Sequence, residues 1–300
     1  MLSGDAPLPA VNDPEGDSVP AGLRVLDAHV HLFPERVFAA IWRWFAAHAW
    51  PVRYRLDAEG VIAFLRARGL EGMVGLCYSH APGMAEGLNA FMAEVAARHP
   101  DFVIPFGTVL PGEPGAREVV RRALTVHRLR GLKIHCHVQG VGPGDERLEP
   151  VYDEAERFGV PLIMHAGPEP ASPAYPCDPR EICRAEGVAQ ALRRHPDLVL
   201  VVPHLGADRY GEYADLLAAH PNLYLDTAMA VTDYLEPAPP LDLVRRWPRR
   251  ILYGTDFPNV PYAWDRELRV LAGAGLPPAD LAALAGGTAR RLFGPPGLRG

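Results

Sequence analysis

The segment Arg24-Val-Leu-Asp-Ala-His-Val-His31 is a short apolar run that ends in two histidines, and similar runs recur along the chain of 300 residues. Near-continuous runs such as Leu198-Val-Leu-Val-Val202 are typical of strands that are buried on both faces of a parallel sheet. The predicted strands are residues 24–31, 72–78, 102–109, 131–137, 161–165, 198–204, 223–226 and 251–256.

Amphipathic patterns typical of helices separate these strands, at 58–68, 84–98, 115–128, 149–158 and 180–194. Eight β-then-α units over about 250 residues match the size of a closed barrel. An open doubly wound sheet would normally carry a glycine-rich phosphate turn after its first strand, whereas this strand ends in His-x-His. The sequence therefore predicts an α/β fold, a single-domain (β/α)₈ TIM barrel over residues 23–300. The Pro/Gly-rich residues 1–22 are predicted to form a flexible N-terminal tail.

Composition argues against several classes of partner. Apolar residues make up 48% of the chain, and the net charge is −6 without any basic run, so neither nucleic acid nor an anionic membrane is an expected partner. The first 22 residues lack the basic start and apolar core of a signal peptide. No apolar run approaches the roughly 18 residues of a membrane span. We expect a cytoplasmic protein that acts on a small molecule.

Seven of the 12 histidines lie at or just beyond the carboxyl ends of predicted strands. In a barrel these ends build the active site. Within residues 27–31, strand alternation places Asp27, His29 and His31 on one face, so two imidazoles can reach the same ion. The seven residues are His29, His31, His80, His135, His137, His165 and His204.

A lone histidine that closes a core strand is usually a satisfied core residue, but several strands end in this way. His165 and His204 each end a strand, and Asp256 ends the last one, where an unpaired buried carboxylate would be costly. Imidazoles and a carboxylate, with a position left for water, suit catalytic zinc and also accept manganese, iron or cobalt. The pattern predicts a divalent-metal site.

Three motifs together resemble the amidohydrolase superfamily, in the branch that contains aminocarboxymuconate semialdehyde decarboxylase and related small-acid hydrolases and lactonases. The motifs are Asp-x-His-x-His followed by Pro at 27–34, Gly-x-Lys at the start of 131–139, and Gly-Thr-Asp-Phe-Pro at 254–258. The resemblance spans residues 24 to 293. It implies a metal held by His29, His31, His165 and Asp256.

The resemblance also implies roles beside the metal. His204 would act near a metal-bound water as acid, base or electrostatic anchor, and Asp27 and Thr255 would support the ligands. In this superfamily a strand-4 lysine either bridges two metals as a carbamate or stays a plain barrel lysine. Lys133, the only lysine in the chain, occupies that strand.

Strand alternation decides what we expect of Lys133. It places Lys133, His135 and His137 toward the barrel interior, with Lys133 about 13 Å deeper than His137. At that depth a bridging role is not expected, so the sequence predicts one metal, most simply zinc. We expect Lys133 to be a cationic anchor for a substrate carboxylate, with His135, His137 and His80 also lining the substrate site.

Three functions are compatible with this site. The leading one is a metal-dependent hydrolase of a lactone, ester or amide carrying a carboxylate, because attack by metal-activated water is the commoner use of such sites. The alternative is a metal-dependent decarboxylase, and the third is a barrel that only binds a ligand. The aromatic segment with Trp42, Trp44, Phe45 and Trp50 is a homodimer contact, a lid over the site, or helix-face core.

Overall fold

The computed structural model describes residues 7–169, 171–235 and 240–294. Eight parallel strands are hydrogen-bonded in chain order. The strands are β1 Leu26–His31, β2 Gly72–Leu76, β3 Val103–Thr108, β4 Gly131–His135, β5 Leu162–His165, β6 Leu200–Val202, β7 Leu223–Asp226 and β8 Ile251–Leu252.

Helices follow the strands and cover the outside of the sheet. They are α1 Glu35–His48, α2 Ala58–Ala67, α3 Ala85–Arg98, α4 Ala116–Thr125, α5 Cys136–Gln139, α6 Glu149–Phe158, α7 Pro179–Ile182, α8 Ala185–Arg194, α9 Tyr210–Ala219, α10 Leu241–Arg246, α11 Arg266–Ala272, α12 Pro278–Ala282 and α13 Thr288–Phe293. Short 3₁₀ turns lie at Glu146–Leu148 and His204–Gly206, and a π turn lies at Ala283–Gly287.

The first strand closes the barrel against the segment that contains and follows the last strand. The Ala28 amide donates to the Tyr253 carbonyl at 2.8 Å, and the His31 amide donates to the Phe257 carbonyl at 2.7 Å. These bonds pair the two sheet edges, so the predicted single-domain (β/α)₈ barrel is confirmed.

Alternate residues of the strands enter two separate apolar layers. Leu132 and Ile134 of β4 belong to the large cluster that packs under the helices. Ile163 and Val201 belong to a smaller cluster inside the barrel, which Phe293 of α13 joins. Apolar side chains thus fill one part of the barrel interior, and the polar side chains gather at the carboxyl ends of the strands.

Several element bounds differ from the sequence prediction. Strand β4 ends at His135 rather than at residue 137, because the chain turns into α5 there. The predicted helix 180–194 is two helices, α7 and α8, separated at Cys183. A register shift between Asp27 and Val30 also interrupts the alternation expected along β1.

The amino-terminal segment differs from a loose tail over the residues that the structure describes. The Leu8 amide donates to the Ala49 carbonyl at 2.7 Å, and the Val19 amide donates to the Arg68 carbonyl at 2.9 Å. The Asp13 carboxylate accepts from Arg53 at 3.0 Å. Residues 7–22 therefore lie on the barrel, while residues 1–6 fall outside the described part. Within that part, no helix is both long and apolar enough to cross a membrane.

Candidate metal centre

Three predicted ligands converge at the carboxyl end of the barrel. Nε2 of His31 lies 2.9 Å from Oδ1 of Asp256, and Nε2 of His29 lies 3.3 Å from the same oxygen. One donor atom from each of these residues lies within 4.8 Å of the other two. Strand β1 supplies both imidazoles, and the turn after β8 supplies the carboxylate.

The chemistry of these donors fits a divalent cation. Nδ1 of His29 lies 2.8 Å from Oδ2 of Asp226, a carboxylate oxygen that can only accept. His29 therefore carries its proton on Nδ1, and its Nε2 lone pair points toward Asp256. Two imidazole nitrogens and one carboxylate oxygen are a donor set that zinc and neighbouring transition metals take.

Asp226 is a site residue that the sequence reasoning did not include. It ends β7, and its Oδ1 accepts from the amides of His204 at 3.0 Å and Ala228 at 3.1 Å. Burial would raise its pKa, but His29 and these hydrogen bonds hold the pKa below its ordinary value. Its position at a strand end, like that of Asp256, was the signal that could have identified it.

The backbone around Asp256 is held in an unusual conformation. Its φ is 70°, in the left-handed region, and its amide donates to the His29 carbonyl at 2.9 Å. Non-glycine residues in this region cluster at functional sites, where surrounding contacts impose the strain. Burial would raise the pKa of Asp256, but hydrogen bonding and charge from His31 hold the pKa well below its ordinary value.

Asp27 and Thr255 meet beneath this centre. The Thr255 hydroxyl donates to Oδ2 of Asp27 at 2.6 Å, and Oδ1 of Asp27 accepts from the His29 amide at 2.9 Å. Burial raises the pKa of Asp27 to about 7, against the hydrogen bond from Thr255. The pair links the strand that carries the histidines to the turn that carries Asp256.

His165 is not part of the three-residue group. Its Nδ1 lies 3.0 Å from Nε2 of His204, and its Nε2 lies 3.2 Å from the Glu169 carbonyl oxygen. Nδ1 of His204 in turn donates to the Ala228 carbonyl at 2.8 Å. His165 and His204 thus form a hydrogen-bonded pair beside the group.

In the neutral form of this pair, each imidazole carries one proton on one of its two nitrogens. His204 uses its Nδ1 proton on the Ala228 carbonyl, so its Nε2 accepts from Nδ1 of His165. A neutral His165 then has its lone pair on Nε2, where it faces the Glu169 carbonyl oxygen, so that 3.2 Å contact is not a hydrogen bond in this form. Burial and the neighbouring His135 lower the pKa of His165 well below its ordinary value, which favours this neutral form. The ligand role of His165 stays a proposal, and binding through Nε2 requires this nitrogen to leave the Glu169 carbonyl.

Lys133 lies level with the centre, so the depth predicted for it is wrong. Its Nζ is 3.4 Å from Nε2 of His29, and it is fully buried. His137 lies in α5 rather than on β4, and the long side chain of Lys133 reaches from the strand to His29. Burial lowers the pKa of Lys133 to about 8. Whether the site holds one metal or two stays a prediction.

The other three histidines that were predicted to line the substrate site lie in different surroundings. The His135 ring stacks on His165 with centroids 4.3 Å apart. His137 lies in α5, where its Nε2 donates to the Gly167 carbonyl at 2.7 Å, and Gln139 holds this turn by accepting from the His135 amide at 2.9 Å. His80 is exposed and does not line the cavity that contains the candidate metal ligands.

Aromatic side chains form walls above the centre. The space above the centre measures about 790 Å³ with its open mouth included. Phe45, Trp50, Tyr78 and Tyr175 line it together with Lys133. Two residues of the aromatic segment after β1, Phe45 and Trp50, therefore line the cavity. Trp42, by contrast, stacks on Phe38 with centroids 5.3 Å apart.

Solved structures share this architecture at low identity. An uncharacterised TIM-barrel protein from Bordetella bronchiseptica is 22% identical, with a TM-score of 0.69 over 90% of this chain and 98% of that chain. The 5-carboxyvanillate decarboxylase from Sphingomonas paucimobilis is 20% identical, with a TM-score of 0.64 over 91% and 99%. The 2,6-dihydroxybenzoate decarboxylase from Rhizobium is 18% identical, with a TM-score of 0.64 over 93% and 99%. These likenesses show the fold.

Sequence comparison identifies the family. No curated protein sequence matches the chain significantly. The amidohydrolase family profile matches residues 26–294, which include every strand of the barrel and the three converging candidate ligands. The chain belongs to the amidohydrolase family.

Proposed function

We propose that this chain is a metal-dependent hydrolase of a small carboxylated lactone, ester or amide. One observation carries the proposal: the Asp256 carboxylate contacts the imidazoles of His29 and His31 and also lines the cavity. The carboxylate is thus in place both to bind a cation and to accept a proton. We propose one zinc ion per chain, held by His29, His31, Asp256 and His165.

A divalent cation at this site supplies a water of lowered pKa and polarises a carbonyl oxygen. Asp256 is ionised at neutral pH, because hydrogen bonding and charge from His31 lower its pKa. Its carboxylate lines the cavity, in position to take a proton from the attacking water. His204 lines the same cavity, with its Nδ1 fixed on the Ala228 carbonyl. Its Nε2 is then oriented to exchange a proton with the reacting group or with His165. Asp27 and Thr255 keep the two ligand-bearing segments in register.

Lys133 supplies the positive charge for a substrate carboxylate. Its ammonium is buried, lines the cavity, and has a pKa of about 8, so it is mostly cationic at neutral pH. A carboxylate that enters this cavity gains a charge-assisted hydrogen bond from Lys133. We propose that His135 lines the same substrate site, with His137 supporting it through the ring contact with His165, 4.4 Å between centroids.

Decarboxylation is the second candidate, and the aromatic walls are the observation that favours it. Phe45, Tyr78 and Tyr175 suit a planar unsaturated acid, because aromatic rings pack well against a flat π system. Proteins of the same fold are named as decarboxylases of 5-carboxyvanillate and 2,6-dihydroxybenzoate. A dihydroxybenzoic acid decarboxylase from Polaromonas was solved with manganese, so manganese is the alternative to zinc.

The fate of solvent oxygen separates the two reactions. Zinc-loaded protein is incubated in ¹⁸O-labelled water with lactones, esters, amides and hydroxybenzoates, and both product mass and released CO₂ are measured. The proposal predicts one ¹⁸O atom in the product and no CO₂. Release of CO₂ without solvent oxygen in the remaining product would instead establish the decarboxylase. Failure of the metal-loaded protein to turn over any of these compounds would favour a barrel that only binds a ligand.

A further inference from the structure

A second cleft adjoins the metal cavity, between α1 and the loop that follows β5. It measures about 940 Å³ with its opening included. Val37, Ile41 and Trp44 of α1 form one side, and Val138 and Pro176 lie on the other. We call this cleft the side groove. Neither the metal site nor the proposed reaction chemistry uses it.

The side groove shares four lining residues with the metal cavity. Phe45, Tyr78, His135 and Tyr175 line both spaces. The Tyr78 and His135 rings are 4.9 Å apart between centroids, and the Trp44 and Tyr175 rings are 5.0 Å apart. The two spaces therefore meet at shared side chains, and the side groove is a neighbouring space for a ligand whose polar end is held near Lys133.

The lining of the side groove selects an apolar group. No described residue that lines it is an aspartate, a glutamate, a lysine or an arginine. Exposed His80 lies at its rim. A charged group would lose water there without gaining an ion pair with a carboxylate, lysine or arginine side chain, whereas hydrocarbon would bury its surface against aliphatic and aromatic side chains.

We propose that the side groove binds an apolar substituent of the substrate, an alkyl chain or aryl ring of several carbons. This inference rests on the proposed function, because it assigns the polar end of the same substrate to the metal cavity. The substrate class becomes a carboxylated lactone, ester or amide with a hydrocarbon tail. Lys133 and the metal site fix the head of this substrate, and α1 with the loop after β5 selects its tail.

A series of linear carboxylates tests the groove without requiring turnover. Butanoate, hexanoate and octanoate are titrated into zinc-loaded full-length protein by calorimetry. Each methylene that leaves water raises affinity by about fourfold. The proposal predicts that octanoate binds at least about tenfold more tightly than butanoate, allowing for incomplete burial of the chain.

Two substitutions on the same helix provide a matched pair. Ala40 is exposed and lines the side groove, whereas Ala47 is exposed and lines a different surface cleft. Ala40→Trp should fill the groove and bring octanoate affinity down to that of butanoate. Ala47→Trp should keep the full dependence on chain length. Circular dichroism and zinc content verify that both variants are folded and loaded.

The outcomes separate this inference from the proposed function. Equal affinity across the series in the wild type, or no binding of octanoate, overturns the side-groove assignment even if ¹⁸O-labelled product is formed. Retained dependence on chain length in Ala40→Trp also overturns it. If light scattering shows a dimer that Ala40→Trp alone dissociates, with no chain-length dependence, the groove belongs to a second copy. Chain-length-dependent binding without hydrolysis would overturn only the hydrolase proposal.

Discussion

The Asp226 carboxylate accepts a hydrogen bond from Nδ1 of His29 at 2.8 Å, and this bond determines which nitrogen His29 turns toward Asp256. The same carboxylate accepts from the His204 amide at 3.0 Å through its other oxygen. One side chain at the end of β7 thus positions a proposed metal ligand and the proposed acid–base histidine. Partners of this kind orient metal-binding histidines and increase their basicity.

Replacing Asp226 by asparagine should weaken metal binding. The amide oxygen can still accept from the His204 backbone, but the amide nitrogen faces Nδ1 of His29 and favours the tautomer that protonates Nε2. We expect zinc affinity to fall by about 10–100-fold, measured by competition with a chromophoric chelator. Asp242→Asn, which alters an exposed ion pair with Arg245, should leave zinc affinity unchanged. Wild-type affinity in Asp226→Asn would refute the orienting role.

His204→Asn should keep the metal and lose turnover. The φ of His204 is 58°, a left-handed conformation that asparagine tolerates better than most residues, and an asparagine amide can still donate to the Ala228 carbonyl. Loss of acid–base help lowers kcat by about 10²–10⁴. Steady-state kinetics and zinc content are measured on the same sample. Loss of zinc from this variant would show that His204 is a ligand.

Gly206→Ala should damage the site through the backbone. Gly206 has a φ of 89°, and a Cβ at this position would lie 2.0 Å from the Tyr213 ring. The turn that carries His204 must shift to relieve this overlap, so we expect a loss of about 1–3 kcal/mol in unfolding free energy together with reduced turnover. The matched change Gly87→Ala, in α3 with open space around it, should not destabilise. Equal stability of the two variants would contradict the packing described here.

Glu267 should make stability depend on pH. Burial raises the pKa of this carboxyl to about 8 from 4.5, although Tyr262 donates to it at 2.6 Å. The folded state therefore keeps a proton that the unfolded state releases above pH 4.5. The stability that Glu267 protonation gives to the folded state is fully present below pH 4.5 and is lost as the pH rises toward 8. The unfolding free energy then falls by at most about 1.4 kcal/mol per pH unit.

The neutral analogue Glu267→Gln removes this titration. Denaturant unfolding at several pH values should show the variant gaining stability over the wild type as the pH rises from 5 to 8. Glu118→Gln, at an exposed position of α4, should follow the wild type across the series. A constant difference between Glu267→Gln and the wild type would mean that Glu267 does not titrate in this range.

The sequence predicts the barrel well because apolar runs and strand-end histidines are local signals. His29 and His31 lie on β1, Asp256 lies in the turn after β8, and the three meet at the carboxyl end of the barrel. The position of Lys133 depended on where β4 ends, and that is decided by a tertiary contact: Gln139 donates to the carbonyls of Ser79 and Val109 and stabilises a helical turn. No pattern along the strand encodes that contact.

Other features depend on which side chains meet across the barrel. The partner of His29 is Asp226, which is 197 positions away in the sequence, so the pairing is visible only once the strands are arranged. His165 contacts His204 rather than the three-residue group because the turn after β6 places that ring beside it. The proline- and glycine-rich composition of residues 7–22 predicts irregular backbone, but it does not show that Asp13 pairs with Arg53 and Arg266.

The zinc content of the purified protein, measured by elemental analysis, tests the central claim most directly. The wild type, His29→Ala and Asp256→Ala are each equilibrated with zinc and purified before the measurement. The convergence of these two residues with His31 predicts one zinc per wild-type chain and none in either variant. Circular dichroism should show a folded barrel in all three proteins, because the apolar clusters are untouched. Stoichiometric zinc retained by either variant, or two zinc ions per wild-type chain, would contradict the account.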